Sequence, residues 1–428
     1  MQFYKETEFK KVELNGRIVE IPKDWEVVRL GCCADIIMGQ SPPSFTYNTE
    51  GKGLPFLQGC AEFGEIYPKP KIYCSNPIKI AEASDILLSV RAPVGEVNIA
   101  PSKCCIGRGL AAIRTKESRL HYLFLFYYLK FNSNVFEKIA MGSTFKAIKK
   151  NDIENLKIPL PRQLEEQKKI AEVLSTVDKA IEKTDEAIER TKRIKKGLMQ
   201  RLLTKGIGHK EFRKVELNGI IVEIPKDWGV VKLEDVITEA KPGFACGKRD
   251  DNGIIQLRMD SIDPDGRINP NAYVKVPPPE NVNEYLLKSG DILFVNTIGS
   301  LELLGKSAIF KGEHTKCTYS NHLTRIRVDF NRTIPEWILY HLIRYRLLGI
   351  FRNLCHRHAG GQAMVSRDDL LNLKIPLPRQ LEEQKKIAEI LSTVDNKMDI
   401  LRKEKEKLEN IKKGLMQKLL TGKVRVVV

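Results

Sequence analysis

The chain has 428 residues with 71 Lys+Arg against 54 Asp+Glu, a formal net charge of +17 and a pI near 9.3. Length allows about two to four domains with ample core, and the positive excess favours a polyanionic partner. The nine cysteines are an odd number, with adjacent pairs at Cys32–Cys33 and Cys104–Cys105 and no C-x-x-C spacing, which argues against a zinc ribbon and a secreted disulfide framework. Reduced, mostly buried thiols in a cytoplasmic protein are expected. MQFYKETEFKK has no apolar signal core and no long apolar run follows it, so neither a signal peptide nor a membrane span is expected.

Residues 9–30, FKKVELNGRIVEIPKDWEVVRL, read as a β-hairpin turning at Asn15-Gly16, closed by Pro22 and anchored by Trp25. Residues 31–156 then show short β-type runs, including Asp85-Ile-Leu-Leu-Ser-Val, and an apolar helical run His121–Phe131. A basic loop follows, Gly142-Ser-Thr-Phe-Lys-Ala-Ile-Lys-Lys. At 157–178 the sequence KIPLPRQLEEQKKIAEVLSTVD opens a long helix, with Pro161 placed in its first turn and Gly206 as its stop. Ile170, Leu174, Val177, Ile181, Thr184 and Ile188 alternate steps of four and three, the spacing of a coiled-coil seam.

The whole order then repeats. FRKVELNGIIVEIPKDWGVVKL at 212–233 differs from the first hairpin at four positions, and Trp228 takes the place of Trp25. Residues 234–373 diverge but keep a run Asp291-Ile-Leu-Phe-Val-Asn, a helical run Trp337–Ile350 and a basic loop from His358 to Arg367. Residues 374–395 repeat 157–178 except for Ile390 in place of Val173, with Pro378 and Gly422 as the matching helix signals. The second seam is Ile387, Leu391, Val394, Met398, Leu401, Lys405 and Leu408. IKKGLMQRLLT at 194–204 recurs as IKKGLMQKLLT at 411–421. The expected organisation is α+β: an α/β recognition domain at 1–156, a helix at 157–206, a second such domain at 207–373 and a helix at 374–428. The two long helices should run antiparallel and separate the domains about a pseudo-two-fold axis. The lysines at 192–196 and 403–413 are expected on solvated helix faces.

Ile21-Pro22-x-x-Trp25 and Ile224-Pro225-x-x-Trp228 lead into the globular regions, Ser84-Asp-Ile-Leu and Gly290-Asp-Ile-Leu lie within them, and I-P-L-P-x-x-x-E-Q-x-x-I leads out at Ile158–Ile170 and Ile375–Ile387. In this order and number the chain resembles the specificity subunit of type I restriction-modification systems. The resemblance implies that each globular region is a target-recognition domain for one half of a split site in double-stranded DNA. It also implies that the helices set the gap and that two methyltransferase subunits, with motor-nuclease subunits, assemble on the chain. S-adenosylmethionine, ATP and Mg²⁺ would then belong to those partners, with no cofactor on this chain. Alternatives are a coiled-coil scaffold for RNA or protein, and the recognition half of a split methyltransferase-nuclease.

No catalytic set stands out. Ser41-Pro-Pro-Ser-Phe lacks the Asn or Asp that a base-flipping methyltransferase loop needs, and reads as a turn. Cys355-His356-Arg357-His358 is too compact for a tetrahedral metal site, and Asp85 and Asp291 read as turn caps. Residue types that read bases and phosphates cluster near glycines. In the first region these are Gln40, Ser41, Tyr47, Gln58, Arg91, Arg108, Lys146, Lys149 and Lys150. In the second they are Lys248, Arg249, Arg258, Asn296, Asn321, His322, Gln362, Ser366 and Arg367.

Overall fold

The computed structural model describes residues 8–141, 147–357 and 361–426. The chain divides into two compact units, Met1–Glu186 with Arg402–Val428, and Ala187–Leu401. Both open on the hairpin. Asn15 and Gly16 take φ of 50° and 79°, and Asn218 and Gly219 take 51° and 83°, values that Gly and Asn reach at least cost. Phe9–Leu14 folds antiparallel onto Arg17–Pro22, and Phe212–Leu217 onto Ile220–Pro225.

The turn asparagines also hold a second segment. Asn15 donates to the Lys157 carbonyl at 2.9 Å and accepts from its N–H at 3.0 Å; Asn218 treats Lys374 the same way, at 3.0 and 2.9 Å. Lys157–Leu160 and Lys374–Leu377 are consequently strands, paired with Glu26–Arg29 and Gly229–Lys232. This corrects the expectation that the helices open at the repeated Lys-Ile-Pro-Leu. Ile158, Pro159 and Leu160 are all buried, and Pro161 and Pro378 lie in the links before helices that begin at Leu164 and Leu381. Trp25 and Trp228 are fully enclosed, as expected of core anchors.

The diverged regions share one topology. In the first unit a four-stranded antiparallel sheet has the order Val97–Ile99, Ile86–Ser89, Leu110–Thr115, Ala34–Met38. In the second the same positions are held by Ser307–Ile309, Ile292–Val295, Leu323–Val328 and Ile237–Pro242. Each unit adds another sheet containing one parallel pair, Cys104–Ile106 beside Leu54–Leu57 and Cys317–Tyr319 beside Ile254–Leu257. Ile86–Ser89 and Ile292–Val295 are buried throughout, and the helices Tyr122–Phe131 and Pro335–Leu347 contribute to the same cores. Asp85 and Asp291 do cap their turns, accepting from the N–H of Glu82 and Lys288 at 2.8 Å. Each also takes a two-pronged bond from an arginine on the neighbouring strand, Arg114 or Arg327.

The long helices are Leu164–Lys205 and Leu381–Leu419, each followed by a glycine at positive φ, Gly206 at 61° and Gly422 at 69°. Antiparallel pairing is fixed within the first unit by Asp178 against Lys412 at 2.5 Å and Asp185 against Lys405 at 2.7 Å. In the second, Lys195 meets Asp395 at 2.6 Å. Ile170, Leu174, Thr184, Ile188, Ile387, Leu391, Met398 and Leu401 are buried, whereas Val177, Ile181, Val394, Lys405 and Leu408 are half-buried. The seam is therefore partly ionic. Lys195 is buried and Lys412 half-buried, a correction to their expected place on solvated faces. Each pair is completed by a tyrosine donating to the aspartate, Tyr127 to Asp178 at 2.6 Å and Tyr340 to Asp395 at 2.9 Å. Burial and these carboxylates push both phenols far above their ordinary range.

Candidate nucleic-acid interface

Loops at the same strand ends of each unit bring the candidate side chains together. In the first unit the loops are Gly39–Ser41, Gln58–Gly59, Val90–Pro93 and Gly107–Gly109. Gln40 N donates to Ile106 O, Gly109 N to Gln58 O and Val90 N to Gly109 O. Ser41 Oγ lies 3.0 and 2.9 Å from the two polar atoms of the Gln58 amide and accepts from Arg108 N at 3.2 Å. Two glycines are obligatory here: a Cβ on Gly39 would sit 2.2 Å from Gly107 O, and one on Gly109 would sit 2.6 Å from Gln58 O. Ile148 N donates to Val90 O, which places Lys149 and Lys150 beside the group. Gln40, Gln58, Arg91, Arg108, Lys149 and Lys150 are exposed. Tyr47 faces inward: its hydroxyl donates to Pro42 O at 2.7 Å and its ring stacks on Phe56 at 4.6 Å. Lys146 lies outside the described residues.

In the second unit Asn321 N donates to Phe244 O, Asn296 N to His322 O and Val365 N to Asn296 O. A Cβ on Gly243 would meet Tyr319 O at 2.2 Å, the counterpart of the Gly39 contact. The Asn296 amide donates to Asn321 O and Thr324 Oγ1, and its own oxygen is buried without a hydrogen-bond partner. Arg258 reaches back to Cys246 O at 3.0 Å, and Ser366 caps the short helix Arg367–Leu371 while Arg367 donates to Ala240 O. Lys248, Arg249, Asn321 and Gln362 are exposed and His322 half-buried. Gln362 precedes the strand Ala363–Met364, which pairs with Thr297–Ile298.

Sequence reasoning missed Gln256 and Ser320, whose Oε1 and Oγ are also buried without partners. The only signal was a polar residue inside an apolar strand, Ile-Ile-Gln-Leu at 254–257. It also passed over Phe45, which is 86% exposed. Ser41-Pro-Pro-Ser-Phe does form a turn, closed by a 3₁₀ segment at Ser44–Thr46. His356 bonds Asp369 at 2.9 Å; His358 lies outside the described residues. The Ser366 hydroxyl, with His356, holds the Asp369 carboxyl below its ordinary range. Among the described residues no three His, Cys, Asp or Glu side chains group as metal ligands. All nine thiols are unpaired and five are buried; burial pushes Cys104 and Cys317 up to about 12. Nor is any described helix long and apolar enough to cross a membrane.

Comparison with known proteins agrees with this duplicated architecture. A family model described as type I restriction modification DNA specificity domain matches twice, at residues 22–190 and 225–410. The type I restriction enzyme MjaVIII specificity subunit of Methanocaldococcus jannaschii is 33% identical over 440 residues, spanning 100% of this chain and 98% of that protein. The MjaX specificity subunit of the same organism is 53% identical over 198 residues, 46% of this chain and 45% of the other. Among solved structures, the type I restriction-modification S subunit from M. genitalium has a TM-score of 0.58 at 17% identity, covering 92% of this chain and 96% of that one. That likeness is one of fold.

Proposed function

The chain belongs to the family of type I restriction-modification DNA specificity proteins, and on that premise we propose that each unit reads one half of a bipartite, gapped site in double-stranded DNA. The observation that carries this is the use of one backbone frame to hold unlike side chains. Gln58 follows Leu54–Leu57 where Arg258 follows Ile254–Leu257. Arg108 is the middle residue between Cys104–Ile106 and Leu110–Thr115, as Asn321 is between Cys317–Tyr319 and Leu323–Val328. Lys149-Lys150 and Ser366-Arg367 open corresponding short helices. Arginine pairs bidentately with guanine, and Asn or Gln with adenine, in the major groove. Two such frames with different side chains read two different half-sites.

The chemistry is assigned to partners. Ile194 and Ile411 occupy the same place in the repeated Ile-Lys-Lys-Gly and are 48% and 51% exposed, with open space around the Cβ positions of Gly197 and Gly414. An apolar residue and a glycine three apart on a helix face allow close approach of another helix. One such face on each unit fits two copies of one methyltransferase subunit, with motor-nuclease subunits joining them. Methyl donor, ATP and Mg²⁺ then bind those partners, and this chain contributes recognition without a catalytic group.

The test is to express the chain with its methyltransferase and sequence the methylated sites of the host. A single motif with two defined halves and a fixed gap is expected; a continuous motif, or none, refutes the reading. Binding of that duplex should weaken steeply with salt, because phosphate contacts release counterions.

A further inference from the structure

We propose that Phe45 is a wedge that enters a base step in the half-site read by the first unit. The inference rests on the DNA reading above. Phe45 is the most exposed large apolar side chain described, at 86%, yet its backbone is held firmly. Pro42 and Pro43 precede it, and both the N–H and the hydroxyl of Thr46 donate to Pro43 O, at 3.0 and 2.7 Å. Tyr47 donates to Pro42 O at 2.7 Å, and the N–H and hydroxyl of Ser75 donate to Thr46 O at 3.0 and 3.2 Å. A ring presented to water on so well-tied a turn is pre-organised for a partner rather than left over from core packing.

Its surroundings identify the partner. The turn continues directly from Ser41, which is bonded to Gln58 and to the Arg108 backbone, so Phe45 is carried on the loop that joins the group of base-reading side chains. An exposed apolar ring on a loop tied to Gln, Ser and Arg residues matches the composition of DNA surfaces that unstack a base pair step and stabilise the opened step by aromatic stacking. Flexible pyrimidine–purine steps open most easily, so such a step is expected at that position.

Among the described residues the second unit lacks the device. Phe244 lies on the corresponding loop but is half-buried, its ring 5.2 Å from that of Tyr285. Phe330 is exposed but follows the far end of Leu323–Val328 from Asn321. The distortion is therefore confined to one half-site.

The experiment uses the chain in complex with its methyltransferase and a gapped duplex carrying 2-aminopurine at each position of the first half-site in turn. Wild type should brighten two adjacent positions. Phe45→Ala should lose that pair and bind about 10- to 100-fold more weakly, with an unchanged salt slope because no cation is removed. Phe45→Trp should restore both affinity and the bright pair. A base flipped by the methyltransferase gives a single bright position that persists in Phe45→Ala. Undiminished affinity in Phe45→Ala, or a bright pair that survives it, overturns the proposal. Failure of the wild-type complex to prefer any duplex would instead overturn the DNA reading itself.

Discussion

Removing the carboxylate of Asp178 should loosen the helix pair of the first unit and leave the second unchanged. Asp178 is 7% exposed and meets Lys412, whose side chain is 15% exposed, at 2.5 Å, while accepting the Tyr127 hydroxyl at 2.6 Å. Desolvating two charges offsets much of their attraction, so the pair itself adds little. Breaking it strands an ammonium and a phenol in a site with little water, which costs about 3–5 kcal/mol. Asp178→Ala should therefore speed amide exchange in peptides from 164–186 and 402–419 by about 100-fold or more. In a Tyr127→Phe background, where no phenol is left without its acceptor, Asp178→Leu with Lys412→Met removes both charges and should return exchange to within about tenfold of that background. Peptides around Asp395 and Lys195, which form the equivalent pair in the second unit, serve as the internal control. An effect of Asp178→Ala below about 1 kcal/mol, or strictly additive costs in the double variant, would refute the account of the pair as a buried, mutually dependent unit.

His341 is wholly enclosed with no hydrogen-bond partner on either ring nitrogen, and burial with Arg344 nearby drives its pKa well below 6.5. The unfolded chain therefore takes up the proton first as pH falls, so stability drops below pH 6.5 by up to about 1.4 kcal/mol per pH unit and is unaffected above it. His341→Phe should flatten that acid limb in thermal melts; an unchanged limb excludes the histidine as its cause. Arg108→Ala should cost about 1–3 kcal/mol at one base pair of one half-site, as read by binding to single-position variants; a loss uniform across sequences would make Arg108 a phosphate contact. Removing one heptad between Asp185 and Lys195 and one between Asp395 and Lys405 leaves all three interhelical ion pairs intact and shortens each helix by about 10 Å. The methylated motif should then have a gap about three base pairs shorter, and an unaltered gap removes the helices as its determinant. Replacing Ile194 and Ile411 together with lysine should abolish co-purification of the methyltransferase without lowering helix content. Retained co-purification would place its docking surface elsewhere.

Much of the frame was legible because it is local and duplicated. Asn-Gly between alternating apolar residues allows one tight turn, and both hairpins adopt it. The seam spacing of the helices was equally plain. What sequence could not show was where a polar residue on a helix finds its partner. Lys195 and Lys412 sit in lysine-rich stretches that resemble solvated faces, and only the pairing with Asp395 and Asp178 takes them inside. The strand Lys157–Leu160 was missed for a related reason: its partner, Glu26–Arg29, lies far away in sequence, and Pro161 just after it resembled a helix opener. In the candidate interface, the glycines do mark loops that pack closely on one another, but Tyr47 and Ser366 are tied into the scaffold while the Phe45 side chain is exposed.

The near-identity of the repeats separates into two parts once burial is known. Gln167 and Gln384 are fully buried: Gln167 accepts from His121 N and donates to Arg119 O and Pro161 O, and Gln384 accepts from the Thr333 hydroxyl and donates to Arg332 O. Such residues stay fixed because a buried amide without its partners is costly, and they need no outside ligand to account for them. Glu166 and Glu383 show how far this extends. Glu166 binds Arg425, which also pairs with Asp24, whereas Glu383 accepts from Trp228 and meets His209, which also faces Asp227. The same carboxylate thus meets a side chain three residues beyond the glycine that follows the other long helix, Arg425 after Gly422 and His209 after Gly206, so the frame fixes the place of the partner more tightly than its residue type. Internal packing does not explain Ile194 and Ile411, or the open positions at Gly197 and Gly414. They are where the partner proposed above, common to both units, would bind.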